Sequence, residues 1–215
     1  MTSSQVNHAT LKTCSQQIVR AGRDLAARGW TPATSGNFSM RLDVGHAAIT
    51  ISGRDKGLLA ADDVMAVDLA GRPIDSDRRA SAETALHVQV YRRFADAGAV
   101  LHTHSPVQTV ASRLYAADGM IRFQGWELQK AIAGISTHAG TLDLPVFANS
   151  QEMPDIVRAV DAWLDADKPL HGYLIDGHGI YTWGKDMAEA RRHLDAFEFL
   201  LACELDLRRM GVRDQ

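Results

Sequence analysis

Apolar and polar residues alternate with two different periodicities along this chain, one typical of α-helices and the other of β-strands. Near the beginning the spacing is that of one face of an α-helix, with apolar residues at Leu11, Cys14, Ile18, Ala21 and Leu25. Because such a face can be buried against a core, the pattern predicts a first helix. Gly29 and Pro32 follow, and they predict where this helix ends.

Three short runs rich in β-forming residues come next. They lie at 37–42, 46–52 and 64–69, and turn residues such as Asp43 and Gly71 stand beside them. Short strands that are separated by short turns favour pairing between neighbours. We therefore predict an antiparallel meander.

The remainder of the chain alternates helices with strands. Ser81 is predicted to cap a helix that carries Leu86, Val90 and Phe94 on one face, and Pro106 occupies a favoured first position of another helix. The other predicted elements are strands at 98–104 and 144–148, a helix at 153–164, strands on both sides of 177–179, and a long helix at about 186–210. Since the sequence shows no repeat or linker, one α/β domain over residues 1–215 is the simplest account.

Composition narrows the class of protein. Hydrophobic residues make up 46% of the 215 residues and charged residues 23%, as in ordinary globular domains. The net charge is −3, so a nucleic-acid partner gains little support. The chain has neither a long apolar run nor the parts of a signal peptide, and its two cysteines, Cys14 and Cys203, are expected as buried thiols. These features predict a soluble protein of the reducing cytoplasm.

Histidines supply the strongest chemical signal. His102 and His104 are separated by one residue in a predicted strand, so their side chains are expected on the same side of it. His178 lies between two glycines in a later turn. Three imidazoles with an open fourth position are typical of a catalytic metal site. The spacing alone leaves open the alternative of buried, hydrogen-bonded histidines in the core.

Two loops carry small polar residues beside a glycine, at 34–37 and 51–56. Backbone N–H groups in such loops can turn toward an anion and bind phosphate. The same residue types are also those of ordinary turns, so both interpretations stand.

Two glutamates are further candidates for a site. Glu83 lies at a predicted helix start, where a carboxylate also interacts favourably with the helix dipole. Glu127 follows Trp126 and could pair with Lys130 on a surface helix, whereas burial would raise its pKa and suit it to catalysis.

The order of these motifs resembles a known family over nearly the whole chain. The class II aldolases have similar motifs to Ser-Gly-Asn at 35–37, Ser-Gly at 52–53, Ser-Ala-Glu at 81–83, His-Thr-His at 102–104 and Gly-His-Gly at 177–179. Within that family, the chain resembles most the branch that dehydrates 5-methylthioribulose 1-phosphate in methionine salvage. This resemblance lies in the segments 144–150, 177–185 and 189–201.

The resemblance implies a central, mainly antiparallel sheet flanked by helices, and a homotetramer with sites near the subunit boundaries. It implies one Zn²⁺ per subunit held by His102, His104 and His178, although other divalent metals also suit imidazole ligands. Glu127 matches the general acid/base of the dehydratases. Glu83 matches the catalytic glutamate of the aldolases, and we interpret it here as a pocket or metal-contacting group.

A sugar-phosphate substrate is also implied, with phosphate contacts expected from Ser35, Gly36, Asn37, Ser52, Gly53 and Ser81. Aldolases of the family commonly have Ser-Ser-Glu before the helix, whereas this chain has Ser-Ala-Glu at 81–83, which removes one hydroxyl. The charge of Arg54 or Lys56 could compensate, and a solvated surface role is the alternative for both.

The reaction implied by the resemblance is loss of water to give 2,3-diketo-5-methylthiopentyl 1-phosphate. A metal ion would polarise the substrate carbonyl, and Glu127 would move the C3 proton to the departing C4 hydroxyl, which requires a carboxylate pKa raised by burial. Retro-aldol cleavage or epimerisation of another ketose phosphate is the alternative. A non-enzymatic binding domain is a third interpretation.

Overall fold

The structure is a computed structural model that describes residues 6–166 and 169–211, and an eight-stranded sheet lies between layers of helices. The α-helices in these ranges are α1 (His8–Ala27), α2 (Thr84–Arg93), α3 (Pro106–Leu114), α4 (Met153–Asp165) and α5 (Met187–Arg209). The strands are β1 (Asn37–Arg41), β2 (His46–Thr50), β3 (Val64–Asp68), β4 (Ala99–Thr103), β5 (Met120–Gln124), β6 (Thr141–Phe147), β7 (Gly172–Ile175) and β8 (Ile180–Gly184).

The strand order places the histidine strand in the middle of the sheet. The order is β3-β2-β1-β4-β8-β7-β6-β5, and the pairing is antiparallel except between β6 and β7, which are parallel. In this register His102 of β4 lies opposite Asn37 of β1 on one side and Tyr181 of β8 on the other. The predicted sheet, mainly antiparallel and flanked by helices, is confirmed.

Each face of the sheet is covered by a different set of helices. One apolar core joins residues of α1, α3 and α5 to the sheet, and the other joins residues of α2 and α4. In β4, Leu101 packs in the first core and Val100 in the second, because successive strand side chains point to opposite faces. His102, two residues after Val100, therefore lies on the α2 face.

Most elements predicted from periodicity are confirmed, among them the first helix, the meander of β1 to β3 and the long last helix. Helix α2 begins later than predicted: Glu83 occupies its N-cap position, and Ser81 instead accepts the Glu83 N–H at 3.3 Å. Ser81 forms the turn before the helix. The prediction that it caps the helix is wrong.

The segment around Glu127 forms a short 3₁₀ helix at Glu127–Ala131. Glu127 pairs there with Lys130, which is one of the two interpretations given above, and β5 precedes this helix. Strand β5 was not predicted, although Ile121 and Phe123 are buried and alternate with exposed residues as in a half-buried strand.

The two cysteines are free, but only one of them is buried as predicted. Cys14 is buried in α1, whereas Cys203 in α5 is partly exposed. Across the ranges that the structure describes, none of the helices has the length and apolar character needed to cross a membrane.

The packing of α5 against the sheet gives a first prediction. Phe197 of α5 is 0% exposed in the core, whereas Val44, in the turn between β1 and β2, is 93% exposed. We expect Phe197→Ala to lower the free energy of unfolding by about 3–5 kcal/mol, because it removes buried apolar surface and leaves a cavity. We expect Val44→Ala to change it by about 0.5 kcal/mol or less, because its side chain already faces solvent. Chemical denaturation measures both, and equal effects would contradict this account of the core.

Candidate active site

Three histidines from distant parts of the chain converge on one point. His102 lies in β4, His104 follows the end of that strand, and His178 lies in the turn between β7 and β8. The Nε2 atom of His102 is 2.7 Å from Nε2 of His104 and 3.3 Å from Nε2 of His178. Potential ligand atoms of the three lie within 4.8 Å of one another, so they can reach a single ion.

The protonation of this cluster suits a metal ion. Nδ1 of His102 donates to the Ile180 carbonyl at 2.8 Å, which leaves its Nε2 with a free lone pair. Burial lowers the pKa of His102 to about 4 and that of His104 to about 3, so both rings are neutral at pH 7. Neutral imidazoles are ligands for Zn²⁺ and for other borderline divalent ions, and the donor set therefore fits the implied metal.

Helix α3 braces the turn that carries His178. Thr109 donates its hydroxyl to the His178 carbonyl at 2.8 Å, and the Gly177 N–H donates to the Ser112 hydroxyl at 3.0 Å. Gly177 has a φ of +62°, a conformation that favours glycine. Since α3 starts directly after the His104 segment, one rigid element holds both parts of the cluster.

Glu83 points into the same cluster. Its Oε1 is 3.2 Å from Nε2 of His178, and its Oε2 is 3.3 Å from Nε2 of His102. The Asn37 amide donates to Oε2 at 2.6 Å and the Tyr181 hydroxyl at 2.8 Å. Burial opposes ionisation of Glu83, but the two histidines and these two donors outweigh it and lower its pKa to about 2.

Tyr181 is a site residue that the sequence did not reveal. Its ring stacks on His102 with centroids 4.0 Å apart and an interplanar angle of 11°, as cross-strand neighbours can. Its hydroxyl holds Glu83 at the same time. The residue lies three positions after His178, and only the pairing of β8 with β4 brings it to the cluster.

A polar cavity of about 220 Å³ opens beside the three histidines. All six residues predicted to contact phosphate line it, together with Glu83, His104 and Lys56. Gly36 and Gly53 both have a φ of +75°, which allows the loop backbones to turn sharply at the cavity wall. The buried Ser35 hydroxyl has no hydrogen-bond partner among the described residues. The structure thus brings together the two loops that the sequence singled out.

Lys56, and not Arg54, supplies positive charge to the cavity. Lys56 is 2% exposed, and its Nζ donates to the Thr34 carbonyl at 2.8 Å and to the Arg54 carbonyl at 2.6 Å. Burial lowers the pKa of this ammonium group, and the carboxylates of Asp55 and Glu83 act in the opposite direction. The Arg54 guanidinium is turned to Asp63 at 3.0 Å and is largely exposed.

Comparison with known proteins shows which family has this sequence. Residues 16–205 match the family described as Class II Aldolase and Adducin N-terminal domain. The chain belongs to this family. Methylthioribulose-1-phosphate dehydratase of Stenotrophomonas maltophilia strain R551-3 is 60% identical over 202 residues, 94% of each chain. Its counterpart of the same name in Xanthomonas campestris pv. campestris strain 8004 is 59% identical over 199 residues, 93% of this chain and 91% of that protein.

Solved structures of other proteins share the fold. L-Fuculose-1-phosphate aldolase of Thermus thermophilus superposes with a TM-score of 0.71 at 27% identity, over 96% of this chain and 99% of that one. YgbL of Klebsiella pneumoniae superposes with a TM-score of 0.78 at 24% identity, over 92% and 90%. At such identities the likeness concerns the fold.

Glu127 lies apart from the cavity of this class II aldolase fold. Its side chain is 72% exposed, forms an ion pair with Lys130, and lies 3.3 Å from Nδ1 of His138. The hydrogen bond from Lys130 lowers its pKa. The expectation that burial raises this pKa is therefore wrong for the single subunit, because the carboxylate faces solvent and a cation. Its catalytic role stays a prediction.

The turn at His178 gives a second prediction. A Cβ at Gly179 would lie 2.0 Å from the Thr103 carbonyl oxygen, so Gly179→Ala must move the backbone that carries His178 away from β4. We expect Zn²⁺ binding, measured by competition with a chelator, to weaken at least about tenfold.

Gly140→Ala is the matched control, because no atom lies within 4 Å of a Cβ built there. It should bind Zn²⁺ as the wild type does. Undiminished Zn²⁺ affinity in Gly179→Ala would contradict the claim that this close approach holds the ligand in place.

Proposed function

We propose that this chain is a metal-dependent hydro-lyase that dehydrates 5-methylthioribulose 1-phosphate to 2,3-diketo-5-methylthiopentyl 1-phosphate in methionine salvage. One observation carries the proposal. Three convergent histidines adjoin a cavity suited to phosphate, in a chain 60% identical to the methylthioribulose-1-phosphate dehydratase of Stenotrophomonas maltophilia. The two parts of the site match the two ends of such a substrate, a ketose and its phosphate.

His102, His104 and His178 are proposed to hold one Zn²⁺ per subunit. The convergent Nε2 atoms and the neutral state of His102 and His104 support this assignment. When bound, the ion acts as a Lewis acid that polarises the C2 carbonyl and makes the C3 proton easier to remove.

The phosphate is proposed to bind in the cavity formed by the two glycine-containing loops. Ser35, Ser52 and Ser81 offer hydroxyls there, Gly36 and Gly53 allow close approach of the backbone, and Asn37 lines the wall. A lysine ammonium group has three N–H donors. Since Lys56 uses two of them on backbone carbonyls, one remains for a phosphate oxygen. This contact compensates for the hydroxyl that Ala82 lacks.

Glu127 is proposed as the general acid/base. It would take the C3 proton and return it to the C4 hydroxyl, which leaves as water, and the resulting enol would become the diketone. Such a role needs a carboxylate shielded from solvent. Glu127 lies next to Leu128, which with Phe199 lines an exposed apolar surface. We propose that assembly into a homotetramer covers this surface and buries Glu127.

One observation supports a competing reaction, the retro-aldol cleavage of a ketose phosphate. Glu83, and not Glu127, lies against the histidines in this subunit. In the aldolases a glutamate at this position is the implied catalytic group. Cleavage of the C3–C4 bond would then give dihydroxyacetone phosphate and an aldehyde.

Two further proposals concern the protein as a whole. Residues 1–215 are proposed to act as one domain, since both cores share one sheet. A cytoplasmic location is proposed because the free thiols Cys14 and Cys203 fit a reducing compartment.

Product analysis tests the function directly. We expect the Zn²⁺-loaded protein to convert 5-methylthioribulose 1-phosphate to the diketone with loss of one water, as detected by mass spectrometry and NMR. We expect His178→Ala to bind less than one equivalent of metal and to lose this activity. Formation of dihydroxyacetone phosphate would instead establish cleavage, and a full metal equivalent in His178→Ala would refute its role as a ligand.

Paired glutamate variants decide which carboxylate moves the proton. We expect Glu127→Gln to lower kcat by about 10²- to 10⁴-fold, because an amide cannot accept the C3 proton, while metal content stays near one equivalent. Atomic absorption and steady-state kinetics measure the two quantities. Full activity in Glu127→Gln, together with an inactive but metal-loaded Glu83→Gln, would assign the proton transfer to Glu83.

A further inference from the structure

A buried chain of hydrogen bonds runs from Glu83 away from the cavity into the core. The Asn37 amide nitrogen lies 2.6 Å from Oε2 of Glu83, and the Asn37 amide oxygen accepts from Nε2 of His87. Nδ1 of His87 lies 2.7 Å from the Ser39 hydroxyl, which lies 2.8 Å from the hydroxyl of Tyr91. The four residues behind Glu83 are 0–6% exposed, so water cannot easily replace any of these contacts.

Two matching periodicities create this chain. His87 and Tyr91 of α2 follow its N-cap residue Glu83 at intervals of four residues, and four residues of helix rise about 6.0 Å. Asn37 and Ser39 are two residues apart in β1, and two residues of strand rise about 6.6 Å. The two spacings therefore nearly match. Asn37 contacts both Glu83 and His87, and Ser39 contacts both His87 and Tyr91.

The direction of every hydrogen bond in the chain follows from its end at Glu83. A carboxylate only accepts, so Asn37 must present its NH₂ group there and its oxygen to His87. Nε2 of His87 must then carry the proton, which leaves Nδ1 bare. Ser39 must donate to Nδ1, and Tyr91 must donate to Ser39. One amide orientation and one imidazole tautomer satisfy all five groups.

We propose that His87 is a positioning residue that fixes the Asn37 amide and thereby holds the Glu83 carboxylate against the metal-binding histidines. His87 does not line the cavity, and its hydrogen bond to Asn37 links it to Glu83. Its ring also meets the Tyr181 ring edge-on, with centroids 5.6 Å apart. Burial lowers the pKa of His87 to about 4, and the ring accordingly stays neutral at pH 7, as the tautomer requires. The consequence for catalysis rests on the dehydratase function proposed above.

The proposal predicts a graded response to substitution at one position. His87→Leu leaves the Asn37 oxygen without this donor, so the amide can rotate away from Glu83 and leave the Tyr181 hydroxyl as its remaining hydrogen-bond donor among those described. The Glu83 carboxylate is then held less firmly against the histidines. We expect Zn²⁺ affinity and kcat each to fall by about 10- to 100-fold, with KM little changed because the phosphate loops are untouched. We expect His87→Gln to recover most of the loss, since a glutamine amide N–H can replace Nε2–H.

Gln89→Leu is the matched control on the same helix. Gln89 is 2% exposed and donates to the Val157 carbonyl at 2.8 Å, away from Glu83. Its replacement removes one buried hydrogen bond between α2 and α4 and should leave Zn²⁺ affinity unchanged, and thermal denaturation measures the accompanying change in stability. An equal loss of affinity in Gln89→Leu would show a general effect of α2 stability and overturn the proposal.

Chelator competition keeps this test separate from the reaction itself. If the wild type does not dehydrate the substrate, the function fails, yet the Zn²⁺ affinities of the three variants still decide the role of His87. Wild-type affinity in His87→Leu, or no recovery in His87→Gln, would overturn the proposal.

Discussion

Antiparallel pairing between β4 and β8 is the constraint on which the site depends. It sets Tyr181 directly opposite His102, so the two rings stack, and it ends where the turn with His178 begins. Because β4 also pairs with β1, Asn37 lies opposite His102 on the other side. A shift of one residue in either register would turn these side chains to the opposite face of the sheet and dissolve the cluster. Burial of both faces by helices prevents such a shift.

The electrostatics of the site follow from burial as much as from charge. Withdrawal from water keeps His102 and His104 neutral and available as ligands, whereas Glu83 stays ionised because donors surround it. Lys56 brings a cation to the wall of the same cavity. Both parts of the site suit a ketose phosphate, because a Lewis acid can polarise its carbonyl group and hydrogen-bond donors can bind its phosphate group.

Support for these groups comes from neighbouring helices, each reaching one part of the site. Helix α3 holds the His178 turn through Thr109 and Ser112, and α2 holds Glu83 through His87 and the strand residue Asn37. Groups that sit on rigid elements keep their geometry better than groups on loops. Glu127 is the exception, because it lies on a short 3₁₀ helix and its side chain is exposed in the single subunit.

The sequence by itself determined the local elements and the identity of the chemical groups. Helix and strand periodicities, the helix start at Pro106 and the two polar loops are properties of neighbouring residues, so they can be interpreted without the fold. Even the three histidines were recognisable, although only through their resemblance to a family. Tertiary structure decided which groups meet: Tyr181 and His87 join the site through strand register and helix spacing, while Glu127 remains outside it in the single subunit. The exposure and the contacts of a side chain depend on residues far apart in the chain, and the spacing of residues along the sequence does not give the distances between them in the fold.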